Sequence, residues 1–163
     1  MKIKKIKVQA MPPTKRRFLT NDEYQFVFSR APRICLDFII VKDRTILMTK
    51  RTIEPFKGFW HIPGGMIRYK EKIDAAAERI LCAELGCRPL GIKLVGFIEY
   101  LNAGPYLHSI SMVFLTVLAP GKLRGSAQAH KIFFFPSVPK PIPSAQAAFL
   151  KQNWTSLVKH KIY

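Results

Sequence analysis

Residues 64–87 read GGMIRYKEKIDAAAERILCAELGC, and this segment says more about the fold than any other part of the chain. The glycine pair Gly64-Gly65 predicts a loop, because glycine reaches backbone conformations that are closed to other residues. Residues 72–85 predict a helix that is rich in alanine and acidic in its early turns, and Gly86 follows as its C-terminal stop. The middle of the chain is therefore expected to form a loop that leads directly into a long helix.

The predicted helix carries a carboxylate on its apolar face. At 100° per residue, Ile73, Ala77, Ile80 and Glu84 project within about 40° of one another, so Glu84 extends a stripe that we expect to be buried. A carboxylate close to a core needs an ionic partner or a metal ion to offset its desolvation. The alternative is a half-exposed glutamate in the last turn of the helix. The glycine loop favours the metal interpretation, because it brings backbone carbonyls to the same place.

Strands and helices alternate on both sides of this segment. A capping box at residues 20–23 predicts a short helix over residues 21–30, and Ser144 is expected to cap a last helix that reaches about residue 160. Strand patterns occupy residues 33–41, 45–50, 91–101, 108–119 and 131–135. No linker divides the 163 residues, which indicates one α/β domain over residues 18–163 after a basic arm at residues 1–17.

The charge of the chain is strongly positive and unevenly distributed. Its 27 Lys and Arg residues against 10 Asp and Glu leave a net charge of +17, and every acid lies within the first 99 residues. Such a chain attracts polyanions, which include nucleic acids, anionic membranes and phosphorylated metabolites. No apolar run is long enough to span a membrane and no signal-like segment follows the basic N-terminus, so we expect a cytoplasmic protein without membrane contact. The three cysteines are expected to be free thiols: Cys35, Cys82 and Cys87.

The spacing within residues 65–87 resembles the Nudix box, Gly-x5-Glu-x7-Arg-Glu-U-x-Glu-Glu-x-Gly-U, in which U is aliphatic. Gly65, Glu71, Arg79 and Glu84 stand at the matching positions. Arg51 and the preceding FWHIPGG at residues 59–65 are also typical of Nudix hydrolases. The resemblance implies an α/β/α sandwich around a mixed β-sheet, in which Gly65, Glu71 and Arg79 orient the box.

Two glutamates of the box are replaced, by Ile80 and Ala83. A glutamate at position 80 would lie one turn below Glu84, and such pairs can bind two or three divalent ions on a diphosphate. With Ile80, a single hard cation is the expected complement. Residues 78–86 (ERILCAELG) closely resemble the altered box of GDP-mannose mannosyl hydrolases, and the likeness extends over about residues 18–154.

That subfamily resemblance implies hydrolysis at the anomeric carbon of a nucleotide sugar, with release of GDP and the free sugar. Mg²⁺, or alternatively Mn²⁺, would stabilise the departing diphosphate. Carried over position by position, the resemblance implies metal ligands at Glu84, the Gly64 carbonyl and Gln128. Arg51 would bind the substrate and act in catalysis by stabilising the departing diphosphate, and Asp37 would help to position the substrate. His130, on the loop before the last strand, would be the general base.

Several positions depart from the subfamily pattern around the sugar and leaving group. The family's glutamine ligand directly precedes the base, where this chain has Ala129, so either Gln128 or a water would take its place. Met66 replaces an arginine, and the acidic and histidine residues expected after Tyr100 are missing. Without the resemblance, His130 is most simply a surface histidine.

Three functional hypotheses therefore remain open. The first is cleavage of the sugar C–O bond of an anionic, GDP-mannose-like nucleotide sugar, and the second is ordinary Nudix pyrophosphohydrolysis of nucleotides. The third is a non-catalytic Nudix fold that associates with nucleic acid, suggested by the basic arm and the acid-free C-terminal third, although no recognised nucleic-acid motif supports it. A homodimer is expected by analogy with the family.

Overall fold

The structure, a computed structural model, describes residues 19–101, 108–127 and 129–159. The predicted arm at residues 1–17, the turn at residues 102–105 and the end of the last helix lie outside this part of the chain. The elements in chain order are α1 (Asn21–Phe28), β1 (Arg33–Lys42), β2 (Thr45–Arg51), β3 (Trp60–His61), β4 (Gly64–Met66), α2 (Ile73–Leu85), β5 (Pro89–Tyr100), β6 (Ser109–Leu118), β7 (Ala129–Phe135) and α3 (Ser144–Lys159).

The strands form one mixed sheet. Its central order is β3-β2-β1-β6-β5, with β4 also paired to β1 and β7 also paired to β2. β1 and β6 run parallel, whereas the other pairings are antiparallel. This is the mixed sheet that the sequence predicts.

β1 and β2 form the expected hairpin and then diverge. Lys42 pairs with Thr45, and the two residues between them adopt left-handed φ values of 48° at Asp43 and 60° at Arg44, as a tight two-residue hairpin turn requires. Beyond this turn β1 pairs with β4 and β6, whereas β2 pairs with β3 and β7. The divergence makes room for the glycine pair to lie directly along β1.

Helices cover both faces of the sheet. Along β1, Leu36, Phe38 and Ile40 pack into a core with α2, whereas Ile39 packs into a second core with Leu150 and Leu157 of α3. This alternation is the period of two of a strand that is buried on both sides. The α/β/α sandwich implied by the sequence is therefore confirmed, while α1 contributes no buried residue.

Four local predictions are wrong. Gly64 and Gly65 belong to strand β4 rather than to a loop, because they pair with Asp37 and Leu36 of β1. Ile73 is 38% exposed rather than buried, because it is the first residue of α2 and the buried positions begin one turn later at Ala76. Ser144 is the first residue of α3 rather than its cap, since the Pro143 carbonyl accepts the bond from the Ala147 N–H. His130 lies within β7 rather than on a loop, because the β2–β7 ladder extends to the Arg51–Ala129 pair.

Candidate active site

The glycine pair that we predict as a loop forms the start of strand β4 and lies between β1 and α2. A Cβ on Gly64 would collide with Asp37 Oδ1 and would lie 2.5 Å from the Leu36 carbonyl, whereas one on Gly65 would meet Ile80 at 3.3 Å. Neither glycine has a left-handed φ, so the conformational freedom expected from the sequence is not used. The pair is glycine because backbone and neighbouring groups approach too closely for a side chain.

Glu71 and Arg79 join the segment after β4 to α2. Arg79 donates from Nε to Glu71 Oε1 at 2.6 Å and from Nη2 to Glu71 Oε2 at 2.7 Å, and it also bonds the Met66 carbonyl. Hydrogen bonding by Arg79 lowers the pKa of Glu71 to about 2, although partial burial opposes the shift. This bidentate geometry suits the orienting role that the sequence assigns to both residues.

Glu84 is a half-buried carboxylate at the C-terminal end of α2. Ser126 Oγ donates to its Oε2 over a long 3.3 Å. Burial raises the pKa of Glu84, and the Ser126 hydrogen bond and the charge of Arg51 partly oppose that shift. The carboxylate thus lies close enough to Arg51 to feel its field, and it keeps acceptor capacity for another ligand.

Arg51, at the end of β2, is held by the loop that follows it. Its Nε donates to the Pro55 carbonyl at 2.5 Å and its Nη2 to the Glu54 carbonyl at 3.4 Å. Burial lowers the pKa of Arg51, while the negative charge of Glu84 raises it. Within the described ranges the guanidinium makes no further hydrogen bond, so N–H donors remain for an anion.

The available donors fit a single hard cation. Among the described residues, no three His, Cys, Asp or Glu side chains cluster as a metal site. The position of a second box glutamate is filled by Ile80, which is buried against Gly65. One carboxylate and backbone carbonyls suit Mg²⁺ or Mn²⁺, which bind through one or two protein carboxylates together with waters and substrate phosphates. Gln128, the other predicted ligand, lies outside the described residues.

His130 is exposed and forms an irregularity in β7. Ala129 pairs with Arg51 and Lys131 with Lys50, so His130 is the extra residue of a β-bulge. Bulges redirect side chains and are common beside functional sites. The segment before it is tied to the residue that follows β2, because Thr52 Oγ1 donates to the Ala127 carbonyl at 2.9 Å. The structure thus places His130 directly beside the strand end that carries Arg51.

Asp37 lies apart from Glu84, on the face of the sheet that α3 covers. It is only 7% exposed, and it accepts a hydrogen bond from Tyr100 Oη at 3.2 Å. Gln146 Nε2 donates to Tyr100 Oη, and its Oε1 accepts from the Ile62 N–H, both at 2.9 Å. Burial raises the pKa of Asp37 to about 7, while the hydrogen bond from Tyr100 opposes the shift. Asp37 therefore lies against Gly64 but on the face of the sheet opposite to Arg51 and Glu84.

Sequence reasoning missed the residues that support these groups. Ser126 and Glu84 are separated by 42 positions, Tyr100 and Asp37 by 63, and Gln146 and Ile62 by 84. No local pattern marks a serine, tyrosine or glutamine as the partner of a residue so far away. The three cysteines are free thiols, with Cys87 buried and the other two partly buried. No helix in the described ranges is both long and apolar enough to cross a membrane.

Comparison with known proteins places this geometry in context. The family profile described as the NUDIX domain matches residues 31–139. An ADP-ribose pyrophosphatase from Methanocaldococcus jannaschii is 35% identical over 104 residues, which is 64% of this chain and 62% of that protein. The chain thus spans less than two thirds of that relative's length.

Solved structures share the fold. A MutT NUDIX hydrolase from Burkholderia pseudomallei has a TM-score of 0.70 at 27% identity, over 76% of this chain and 98% of that one. A bifunctional NMN adenylyltransferase/ADP ribose pyrophosphatase from Francisella tularensis, solved with AMP and a Mn ion, has a TM-score of 0.62 at 19% identity, over 83% of this chain and 46% of that one.

Proposed function

This chain belongs to the Nudix family, and from that membership we propose that it is a metal-dependent hydrolase that cleaves the sugar C–O bond of nucleoside diphosphate sugars. The observation that carries the proposal is the half-buried carboxylate of Glu84, at the end of the box helix and within electrostatic reach of the Arg51 guanidinium. Ile80 removes the second carboxylate that a multi-metal Nudix site would use. The site therefore favours one cation on a diphosphate leaving group.

Glu84, the Gly64 carbonyl and Gln128 would hold the metal, which we propose to be Mg²⁺, with Mn²⁺ as the alternative. When bound, the ion would neutralise charge on the diphosphate. A homodimer, expected from the family resemblance, also remains a proposal.

The protein's own groups supply the remaining chemistry. The imidazole of His130 takes a proton from water as the water oxygen bonds to the anomeric carbon. The bond between that carbon and the phosphate oxygen breaks, and its electron pair leaves with the diphosphate. The guanidinium of Arg51, held by the Glu54 and Pro55 carbonyls, stabilises this negative charge. Asp37 is buried against Gly64, so it would position the substrate indirectly, by fixing the place of the glycine pair.

The second candidate is hydrolysis of the P–O–P bond, favoured by the 35% identity to an ADP-ribose pyrophosphatase. ADP-ribose and GDP-mannose are both nucleoside diphosphates that carry a sugar. They differ in the atom of attachment, because ADP-ribose is linked through O5 of its terminal ribose and has no anomeric phosphate. Only the P–O reaction can act on ADP-ribose.

Product analysis in ¹⁸O-labelled water distinguishes the two reactions. The proposal predicts that GDP-mannose with Mg²⁺ yields GDP and mannose carrying ¹⁸O, while ADP-ribose is not turned over. If GDP-mannose yields GMP and mannose 1-phosphate with the label on phosphate, the C–O assignment is wrong and the pyrophosphatase assignment replaces it.

Glu84→Gln tests the metal role under either reaction. We expect turnover to fall by at least about 100-fold, because even supporting residues of metal sites cost 10- to 100-fold when removed. Glu78→Gln is the matched control, since Glu78 lies on the same helix but is exposed and paired with Arg88. Equal turnover in the two variants would contradict the assignment of Glu84 as a ligand.

A further inference from the structure

The face of β2 and β7 opposite Arg51 presents lysines beside aromatic rings. We define this lysine–aromatic surface as Lys50, Lys131, Trp60, Phe133 and Phe135. Trp60 and Phe135 pack against the α3 core, whereas Ile132 and Phe134, the alternate residues of β7, pack against the α2 core. The surface is therefore on the other side of the sheet from the Glu84 site.

Lys50 and Lys131 lie directly opposite each other on neighbouring antiparallel strands. Like charges in this arrangement destabilise a sheet unless an anion lies between them. All ten side-chain carboxylates of the protein lie within residues 22–99, a range that the structure describes in full. None of them forms a salt bridge with either lysine. Among the described residues the two lysines thus have no carboxylate counterion, which leaves both ammonium groups able to bind a phosphate.

The aromatic side chains beside the lysines form a connected row. The ring centroids of Trp60 and Phe135 are 4.8 Å apart, as are those of Phe135 and Phe133, and both contacts are edge-to-face. Phe133 is 54% exposed, and the Lys50 ammonium lies 5.5 Å from the centroid of Trp60. An exposed ring next to paired cations matches a nucleotide in a single strand, whose base stacks while its phosphates contact lysine.

From this combination we propose that the lysine–aromatic surface binds single-stranded nucleic acid, independently of the hydrolytic site. A double helix hides its bases, so it can satisfy the lysines but not Phe133. The net charge of +17 adds long-range attraction, while the exposed ring supplies the preference for single strands. The proposal therefore predicts both a salt-dependent component and a stacking component.

The test measures fluorescence anisotropy of labelled U12 RNA, T12 DNA and a 12-base-pair duplex with the full-length protein. Phe133→Leu keeps an apolar contact with Phe135 but removes the stacking face, and we expect it to weaken single-strand binding by about 5- to 150-fold. Lys50→Gln/Lys131→Gln should lower the slope of log affinity against log salt by about 1.4, from two phosphate contacts at about 0.7 each.

The control variant, Lys42→Gln/Lys151→Gln, removes the same charge from two exposed lysines outside the surface. It should change affinity for single strands less than about threefold, well below the effect of losing one stacked base. If Phe133→Leu or the lysine variant loses binding to RNA alone or to DNA alone, the result would support the proposal and identify the sugar that is recognised. If the wild type binds duplex as tightly as single strands, or if Phe133→Leu and the lysine pair behave like the control, the proposal is wrong. Thermal unfolding of each variant identifies any loss of binding that results from misfolding.

Discussion

Replacing Gly64 by alanine should destabilise the protein far more than the same change at Gly65 or Gly91. A Cβ at position 64 would overlap Asp37 Oδ1 and approach the Leu36 carbonyl to 2.5 Å, and the carbonyl belongs to the backbone of a central strand. At position 65 the nearest atoms are side-chain carbons of Ile80 at 3.3–3.5 Å, and at position 91 nothing lies within 4 Å.

These distances give an expected order and size. Overpacking a well-filled site costs about 1–3 kcal/mol, and we place Gly64→Ala at about 3 kcal/mol because a backbone atom must move. Gly65→Ala should cost about 1 kcal/mol, within the same range, since Ile80 can shift. Gly91→Ala should be neutral or stabilising by up to about 1 kcal/mol, because alanine has fewer unfolded conformations than glycine.

Urea unfolding of the three variants measures these differences directly. In thermal unfolding, Gly64→Ala should lower the midpoint by about 6–12 °C, at about 2–4 °C per kcal/mol for a protein of this size. Adding Asp37→Ala to Gly64→Ala should restore only part of the loss, since the Leu36 carbonyl remains. Mn²⁺ binding, followed by the loss of the free-ion spectrum in electron paramagnetic resonance, should also weaken in Gly64→Ala.

The reasoning is refuted if Gly64→Ala unfolds at the same urea concentration as Gly91→Ala. Complete restoration by Asp37→Ala would show that the carboxylate alone, and not the β1 backbone, excludes a side chain at position 64.

Three further predictions follow from the buried and paired polar groups. The pKa of Asp37 is raised to about 7 from 3.8, so the folded state holds this proton more tightly than the unfolded state. The free energy of unfolding should therefore fall between about pH 4 and pH 7, by up to about 1.4 kcal/mol per pH unit. Urea unfolding of Asp37→Asn should not show this fall. The pKa of Glu71 is lowered to about 2, so its contribution to stability is present above pH 4.5 and is lost as the pH falls toward 2. Arg79→Lys, which cannot form the bidentate pair, should cost about 1–2 kcal/mol of stability near pH 7 and progressively less below pH 4. An equal cost at pH 3 would contradict this explanation. Gln146→Leu leaves the buried Ile62 N–H without its partner and removes one of the two hydrogen bonds of the Tyr100 hydroxyl, which still donates to Asp37. It should cost about 1–3 kcal/mol and speed hydrogen exchange at the Ile62 amide, whereas Gln152→Leu, at an exposed position on the same helix, should change neither quantity.

The local elements could be predicted from neighbouring residues alone. The capping box starts α1 at Asn21, Gly86 ends α2 with a left-handed φ of 73°, and the turn at Asp43-Arg44 joins the expected hairpin. Each of these depends on contacts within four residues, and such contacts follow from backbone geometry and local hydrogen bonds. The two short strands β3 and β4 were not predicted, because they form only by pairing with β2 and β1.

The composition of the site followed from the sequence, but its layout did not. The spacing of Gly65, Glu71, Arg79 and Glu84, together with Ile80 at a position that is acidic in the usual box, already indicated a Nudix site with fewer carboxylates. Nothing local could show that Asp37 faces α3 rather than Glu84, because that depends on which face of β1 each helix covers.

The glycine pair also shows which properties follow from the sequence and which follow only from the tertiary structure. The sequence by itself determined that a pair of glycines precedes helix α2 at the spacing of the Nudix box, and with it the family. Only the tertiary structure decided why they are glycines, since Gly64 is pressed against Asp37 and Leu36, and Gly65 against Ile80. The physical reason is close packing: the space at each position is defined by atoms from β1 and α2, which meet only when the sheet and the helix have come together.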